Sequence, residues 1–207
     1  AYDKDFSDAI YGEEVDGRYV TESRLKKMLS HEINLVEQRL NREKHPNKLF
    51  FSYANTVATI DFAKQFKGHG WVGIVYQVEP DEAYNEITLH IRFKENDAKL
   101  QQETLGILGV NLIYGAFYKY NDPKKLLRYL YDHLDKDQIE IDTINFSGPR
   151  FANVDNRLMS LQLVKNGMTD AVMFGPDGKN ILPAAVLYKK NILALRGSFR
   201  PVTKVNM

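Results

Sequence analysis

The chain has 207 residues, with 28 Lys and Arg against 27 Asp and Glu, and 43% of its residues are hydrophobic. This apolar content suffices for a packed core and excludes a disordered chain. The balanced charge argues against broad nucleic-acid or anionic-membrane binding. The absence of cysteine excludes disulfides, thiolate metal sites and a cysteine nucleophile.

No apolar run reaches membrane-spanning length, and no signal-peptide pattern opens the chain. We therefore expect a cytoplasmic protein without a membrane partner. The sequence starts without methionine and stops directly after a strand-like run, so we expect a fragment of a longer protein.

Residues 1–48 are predicted to form a polar arm and a long helix, followed by an α/β domain at 49–207. Thr21 or Ser23 can cap this helix, which is predicted to end near Lys44. Its apolar residues recur at spacings of three and four: Leu25, Met28, Leu29, Ile33, Val36 and Leu40. Such a stripe either covers the sheet of its own chain or pairs helices between subunits, so a homodimer is one expectation.

Three strands are predicted in the next part of the chain, within residues 48–60, 71–78 and 86–94, and a short helix is predicted at 62–66. The last strand alternates cleanly between apolar and polar residues, and a short polar connection precedes it, which predicts an antiparallel hairpin. Asn96 or Asp97 then caps a long helix, which either packs closely against the sheet at its glycines or breaks near Gly115. Asp122-Pro123 predicts the start of another helix.

Residues 139–178 are predicted to form a parallel βαβ unit. An apolar run ends at Phe146, Asp155 caps the following helix, and Gly167 ends it ahead of a strand at 171–174. A short strand at 180–183, helical turns at 184–190 and a final core strand at 192–195 complete the prediction. The fold class is α/β (or α+β), with a mixed sheet that combines an antiparallel hairpin and a parallel βαβ portion, and helices packed on it.

The polar loop after Phe146 is the main candidate site. In open α/β sheets, ligands bind at the carboxyl ends of parallel strands, where the next helix presents free N–H groups. Arginines there can hold a phosphate or carboxylate, and asparagines a ribose or polar head group. The candidate binding residues of this loop are Ser147, Gly148, Arg150, Asn153, Asn156 and Arg157. The competing interpretation is that Asp155 only caps the helix and the arginines form surface ion pairs.

A second basic loop, with Arg196, Ser198 and Arg200, follows the predicted last strand. If that strand lies beside residues 171–174 in a parallel sheet, the four arginines of the two loops converge. They would then bind a small anionic or phosphorylated metabolite, a nucleotide among the candidates. The histidines show no metal-ligand spacing, so no metal site is predicted, and the sequence identifies no cofactor.

His69, within Gly68-His69-Gly70, and Asp155 are the candidates for a catalytic acid or base. The glycines predict a loop around His69, which is either a flexible active-site loop or a simple connection. His90, Arg92 and Lys94 share one face of a predicted strand. That face is either a cationic platform for substrate or a solvated sheet face. Residues 140 and 142, both acidic, are predicted to lie on a solvated strand face.

Three stretches, at 100–118 (LQQETLGILGVNLIYGAFY), 155–174 (DNRLMSLQLVKNGMTDAVMF) and 186–203 (VLYKKNILALRGSFRPVT), carry a family resemblance. Together they resemble a largely uncharacterised family of longer bacterial proteins, and the resemblance implies that this chain is the N-terminal half of such a protein. Members are often labelled nicotinate-nucleotide adenylyltransferase or TonB-dependent receptor. The first label implies an HxGH motif and an ISSTxxR motif. Here Gly68-His69-Gly70-Trp71 lacks the second histidine, and the ISSTxxR motif is absent. The second label implies amphipathic membrane strands where this chain has helices. The residues support neither label.

These features predict an enzyme domain that binds an anionic metabolite. The alternative is a non-catalytic assembly or regulatory module that dimerises or docks a partner domain through its long helix.

Overall fold

The computed structural model describes residues 4–11, 20–61, 63, 67–187, 189–194 and 197. Its helices are α1 (Lys4–Tyr11), α2 (Glu22–Arg39), α3 (Ala98–Tyr118), α4 (Pro123–Tyr129), α5 (Asn156–Lys165) and α6 (Pro183–Leu187). Its strands are β1 (Phe51–Ala58), β2 (His69–Tyr76), β3 (Asn85–Phe93), β4 (Ile139–Ser147), β5 (Met173–Phe174) and β6 (Asn180–Ile181). None of the described helices combines the length and apolarity needed to cross a membrane.

The centre of the structure is a four-stranded antiparallel sheet with its strands in chain order, β1 to β4. The predicted antiparallel hairpin is confirmed as β2 and β3. Alternation in β3 buries Ile87, Leu89 and Ile91 completely on one face, because successive side chains of a strand point to opposite faces. The coarse prediction of a sheet with packed helices therefore holds.

One face of the sheet forms the main core with α3, α4 and α5. Asp97 caps α3 by accepting hydrogen bonds from the backbone N–H groups of Lys99 and Leu100. The helix continues through Gly115, where an added Cβ would lie 3.2 Å from Leu126 Cγ of α4. The helix therefore does not break at Gly115, and its close contact there is with α4 and not with the sheet.

The opposite face of the sheet is covered in part by α2. Leu25 and Leu29 of α2 are fully buried and pack with Trp71 and Val75 of β2. The apolar stripe of this helix thus covers its own sheet. Of the helix predicted for residues 21–44, the structure has the 18 residues Glu22–Arg39, followed by a 3₁₀ turn at Arg42–Lys44.

The parallel βαβ unit is not found among the described residues, and this part of the prediction is corrected. β4 and α5 form as expected, but β5 pairs antiparallel with β6 in a separate two-stranded sheet. Gly167, with φ 66°, turns the chain after α5, and the carbonyl of Met168 then accepts a 3.3 Å hydrogen bond from Ile141 N on β4. The chain touches the edge of β4 at this point and then forms the β5–β6 hairpin, so residues 171–174 do not extend the main sheet.

The prediction of a final core strand at residues 192–195 is also corrected, for the part of it that the structure describes. Residues 191–194 have no regular secondary structure, and Leu193 is 92% exposed. The apolar run alone favoured a strand, but none of the described strands pairs with it. Residue 195 lies outside the described part of the chain, as do residues 62 and 64–66 of the predicted short helix and most of the predicted N-terminal arm.

Candidate functional site

Arg150 is held by two glutamates of its own chain. Its Nε donates to Glu82 Oε1 at 2.6 Å, and its Nη2 lies 2.8 Å from Glu79 Oε1. Its backbone N–H donates to Asn85 Oδ1 at 2.8 Å. Hydrogen bonds to the two carboxylates raise the pKa of Arg150. The guanidinium therefore ties the β2–β3 connection to the loop after β4, with its charge balanced inside the chain.

Asp155 is the N-cap of α5 and the partner of Arg157. Its Oδ1 accepts from the backbone N–H of Arg157 at 2.9 Å, and its two oxygens accept from the guanidinium Nε and Nη2 at 3.1 and 2.8 Å. These hydrogen bonds lower the pKa of Asp155 to about 2. The carboxyl is thus ionised at neutral pH, as a helix cap and surface ion pair require. A catalytic role for Asp155 and anion binding by Arg157 stay predictions.

The remaining candidates of this loop shape the backbone or face solvent. Gly148 has φ 104°, and a Cβ there would lie 2.6 Å from the backbone of β3. The side-chain amide of Asn156 is hydrogen-bonded to the backbone of Phe146. It accepts from the N–H at 2.8 Å and donates to the carbonyl at 3.0 Å. The exposed candidates are Ser147 and Asn153.

Arg196, Ser198 and Arg200 lie outside the described residues. The convergence of four arginines therefore stays a prediction. Both arginines that the structure does describe, Arg150 and Arg157, are ion-paired with carboxylates of the same chain.

His69 belongs to a hydrogen-bonded chain of three titratable side chains. Its Nδ1 lies 3.2 Å from His90 Nε2, and His90 Nδ1 lies 2.8 Å from Asp142 Oδ1. His90 is 2% exposed and Asp142 is 9% exposed, whereas His69, the first residue of β2, is half-buried. The hydrogen bonds therefore lead from a buried carboxylate on β4, across β3, to a more accessible imidazole on β2.

A β-bulge in β4 places Asp142 beside His90. His90 pairs with Thr143 while the next pair involves Ile141, so Asp142 is an extra residue without a partner opposite. An extra residue interrupts the alternation of a strand. Ile141 and Ile144 therefore both remain in the core, and Asp142 turns towards the face that carries His90. The prediction that residue 142 lies on a solvated face was wrong, and the signal was the three-residue spacing between the two isoleucines.

The directions of these hydrogen bonds follow from the carboxylate. With Asp142 ionised, its carboxylate can only accept, so the N–H at Nδ1 of His90 is the donor of this hydrogen bond. With His90 neutral, its Nε2 is the acceptor and the Nδ1–H of His69 is the donor. With His69 also neutral, its Nε2 carries no proton and takes no part in the hydrogen bonds of the three-residue chain.

Two neighbours complete this part of the sheet. Trp71 contacts the ring of His90 edge-on, with ring centroids 5.1 Å apart, which fixes the orientation of that imidazole. Arg92 is paired directly with His69 in the register of β2 and β3, and side chains of such pairs are neighbours on one face. The Arg92 side chain is 51% exposed, and its ion-pair partner Glu140 lies at 3.7 Å. Arg92 is therefore a cation beside His69 that keeps access to solvent.

Within the described ranges, no group of three or more His, Cys, Asp or Glu side chains has a metal-binding arrangement. Comparisons of the chain with protein-family models, with curated proteins and with solved structures gave no match. The resemblance to the bacterial family accordingly stays a prediction.

Proposed function

We propose that the chain is an enzyme domain in which His69 transfers a proton to or from a small anionic or phosphorylated metabolite, with nucleotides among the candidates. The hydrogen-bonded chain of His69, His90 and Asp142 is the observation that carries this proposal. His69 Nε2 acts as base and, once protonated, as acid. Arg92 holds the anionic group of the metabolite.

The residue types in the hydrogen-bonded chain of His69, His90 and Asp142 favour catalysis over a purely structural role. A buried carboxylate must be hydrogen-bonded, and among the described residues His90 meets that need for Asp142. The Nε2 of His90 also needs a partner, but a hydroxyl or amide would serve. A second imidazole instead provides a group that can both accept and donate a proton, on the accessible side of the pair.

Arg92 is better suited to hold the anion than the arginines after β4. Arg150 and Arg157 each make close hydrogen-bonded ion pairs, which a ligand would have to break. The contact of Arg92 with Glu140 is longer, at 3.7 Å, and the Arg92 side chain is 51% exposed, whereas that of Glu140 is 17% exposed. An incoming phosphate or carboxylate can therefore reach the exposed guanidinium of Arg92 without breaking a close hydrogen bond.

The assembly alternative has less support. It required the apolar stripe of α2 to be available to a partner, but Leu25, Leu29 and Ile33 of that stripe are at most 5% exposed, against their own sheet. An interface through α2 would have to use other residues of the helix.

A ligand screen tests the binding half of the proposal. Nucleotides, sugar phosphates and carboxylates are added to the protein, and the midpoint of thermal unfolding is measured, because a ligand specific for the native state stabilises it by RT ln(1 + [L]/Kd). A hit should be lost in Arg92→Gln and retained in Arg157→Gln, the matched control. Loss in Arg157→Gln with retention in Arg92→Gln would move the binding site to the loop after β4.

The catalytic part of the proposal is tested by NMR of the imidazole groups and by substitution of His69. Imidazole ¹⁵N NMR of the protein should show a proton on Nδ1 of His90, and this signal should change in Asp142→Asn. Turnover of the ligand found in the screen should fall by about 100-fold or more in His69→Gln. Full turnover in a folded His69→Gln variant would show that the hydrogen bonds among His69, His90 and Asp142 have only a structural role.

A further inference from the structure

Three tyrosines form a stacked array on the outer side of α3 and α4. The Tyr114 ring centroid lies 4.6 Å from that of Tyr118, with an interplanar angle of 31°, and 5.0 Å from that of Tyr129, with an angle of 34°. Tyr118 is 70% exposed and Tyr114 is 41% exposed. The array therefore ends at Tyr118 in an aromatic face that is open to solvent.

A shallow cavity of about 430 Å³ adjoins this array, within the range of roughly 300–1,000 Å³ that is usual for small-molecule sites. Its lining residues are Lys119, Lys125, Arg128, Tyr129, Tyr131 and Asp132. Three of these are cations. The lining carboxylate, Asp132, is hydrogen-bonded to Tyr129, so the cavity presents mainly positive charge.

The three cations of the cavity make no close ion pairs with carboxylates among the described residues. Lys119 Nζ lies 5.8 and 5.7 Å from the ring centroids of Tyr114 and Tyr129, which places it between the array and the cavity. Lys125 contacts Asp122 at 3.7 Å in an exposed pair, a type of contact that contributes little. In the described part of the chain, neither Lys119 nor Arg128 has a carboxylate within ion-pair distance.

The walls of the cavity are fixed by hydrogen bonds inside the chain. Asn111 of α3 donates from Nδ2 to the carbonyls of Leu130 and Asp132, at 3.1 and 2.6 Å, and so holds the end of α4 against α3. The hydroxyl of Tyr131 donates to the carbonyl of Ile139 at 3.0 Å. A ligand therefore meets a pre-formed surface, which lowers the entropy cost of binding.

We propose that this surface binds a nucleotide, either free or as one unit of a single strand. The base stacks on the tyrosine array, and the phosphate is held by the cations of the cavity, Lys119, Lys125 and Arg128. Aromatic faces beside a row of cations are the chemistry that such ligands require, since bases stack irrespective of sequence and phosphates pair with Lys and Arg. The site is independent of the His69 chain, which lies on the opposite face of the sheet.

The test is a titration of the protein with adenosine 5′-monophosphate, adenosine, inorganic phosphate and a single-stranded oligonucleotide of about ten nucleotides, at several salt concentrations. We expect the monophosphate to bind more tightly than adenosine or phosphate alone, since base and phosphate both contribute. Binding of the oligonucleotide with weak binding of the monophosphate would assign a single strand as the source of the ligand. The reverse would assign the free nucleotide.

Variants separate the two contributions. Tyr118→Leu, which keeps an apolar side chain, should weaken binding by about tenfold. Arg128→Gln should weaken it and reduce the salt dependence of oligonucleotide binding by about one unit of slope. Lys99→Gln is the matched charge control, because Lys99 lies in the first turn of α3 with an 85% exposed side chain, and it should bind normally.

Three results would overturn the proposal. They are the absence of binding by every probe, unchanged binding in both Tyr118→Leu and Arg128→Gln, and a change of oligomeric state in Tyr118→Leu, which would make the array an interface. The exposure of Tyr118 means that its replacement should leave the fold intact, and circular dichroism verifies this.

Discussion

At the level of single residues, two glycines have opposite environments. Gly148 has φ 104°, and a Cβ there would lie 2.6 Å from both Asn85 Cα and Tyr84 O, whereas a Cβ at Gly106 would have no neighbour within 4 Å. Gly148→Ala forces both a left-handed backbone and a clash, so it should lower the free energy of unfolding by about 2 kcal/mol or more.

Gly106→Ala is the matched control for this substitution. It lies in the interior of α3, where alanine is favoured over glycine by about 0.8–1.0 kcal/mol, so the variant should be more stable than the wild type. Urea unfolding measures both changes. Equal stability of the two variants would show that the loop after β4 does not need its glycine.

Asp155 makes stability depend on pH. Its pKa is lowered from 3.8 to about 2 by the hydrogen bonds from Arg157. A group whose pKa is depressed by folding stabilises the protein above its unfolded pKa, and this contribution is lost as the pH falls through the folded value. Asp155→Asn keeps a cap that does not titrate. The stability difference between wild type and this variant should therefore be constant above about pH 5 and should shrink between about pH 4 and pH 2. Urea unfolding at several pH values measures this difference. A stability difference that does not change between about pH 4 and pH 2 would contradict the prediction.

At the level of elements, α2 packs on the sheet of its own chain through part of its apolar stripe. Leu29 of α2 is fully buried, while Leu40, its C-cap residue, is 42% exposed. Leu29→Ala should lower the free energy of unfolding by about 2–5 kcal/mol, and Leu40→Ala should change it by less than about 0.5 kcal/mol. Light scattering should show the same molecular mass for both variants. Dissociation of a dimer by Leu29→Ala, with unchanged stability of the monomer, would restore the assembly alternative.

The elements themselves were predictable because their signals are local. Asp97, Asp122 and Asp155 cap the helices that they were expected to cap, and alternation identified β3. The partner of each strand was not predictable, because pairing joins residues far apart in sequence. A parallel βαβ unit and a β4–α5 segment followed by a separate hairpin have the same local pattern. The sequence therefore predicts the elements of residues 139–181 but not the sheet that they join.

The same limit applies to the candidate site. His69 was identified from its place between two glycines, a local feature. Its hydrogen bond to His90, and that of His90 to Asp142, depend on the register of three strands and on one bulge. These contacts could therefore not be predicted from the spacing of the three residues in the sequence. Asp155 and Arg157, which are neighbours in sequence, gave the stronger pattern and turned out to be a helix cap and its ion-pair partner.

At the scale of the whole molecule, the sheet separates two polar regions. The His69 chain lies on the face covered in part by α2, and the tyrosine array lies outside the helices that cover the other face. Between them, β2 and β3 supply the fully buried residues Val72, Ile74, Ile87, Leu89 and Ile91. The two sites therefore share a rigid support and no side chain.

This arrangement predicts a gradient of stability across the chain. β2 and β3 are paired on both sides and packed on both faces, whereas α6 buries none of its residues and residues 191–194 are exposed. Local opening is easiest where few apolar contacts are lost. Hydrogen exchange should therefore be slowest in β2 and β3, where amides exchange through global unfolding, and fastest in residues 183–194, with the β5–β6 hairpin between them. Denaturant should accelerate exchange steeply in β2 and β3 but only weakly in α6, because global unfolding exposes much more surface than fraying. Equal protection of α6 and β3 would mean that the C-terminal elements unfold together with the sheet as one cooperative unit.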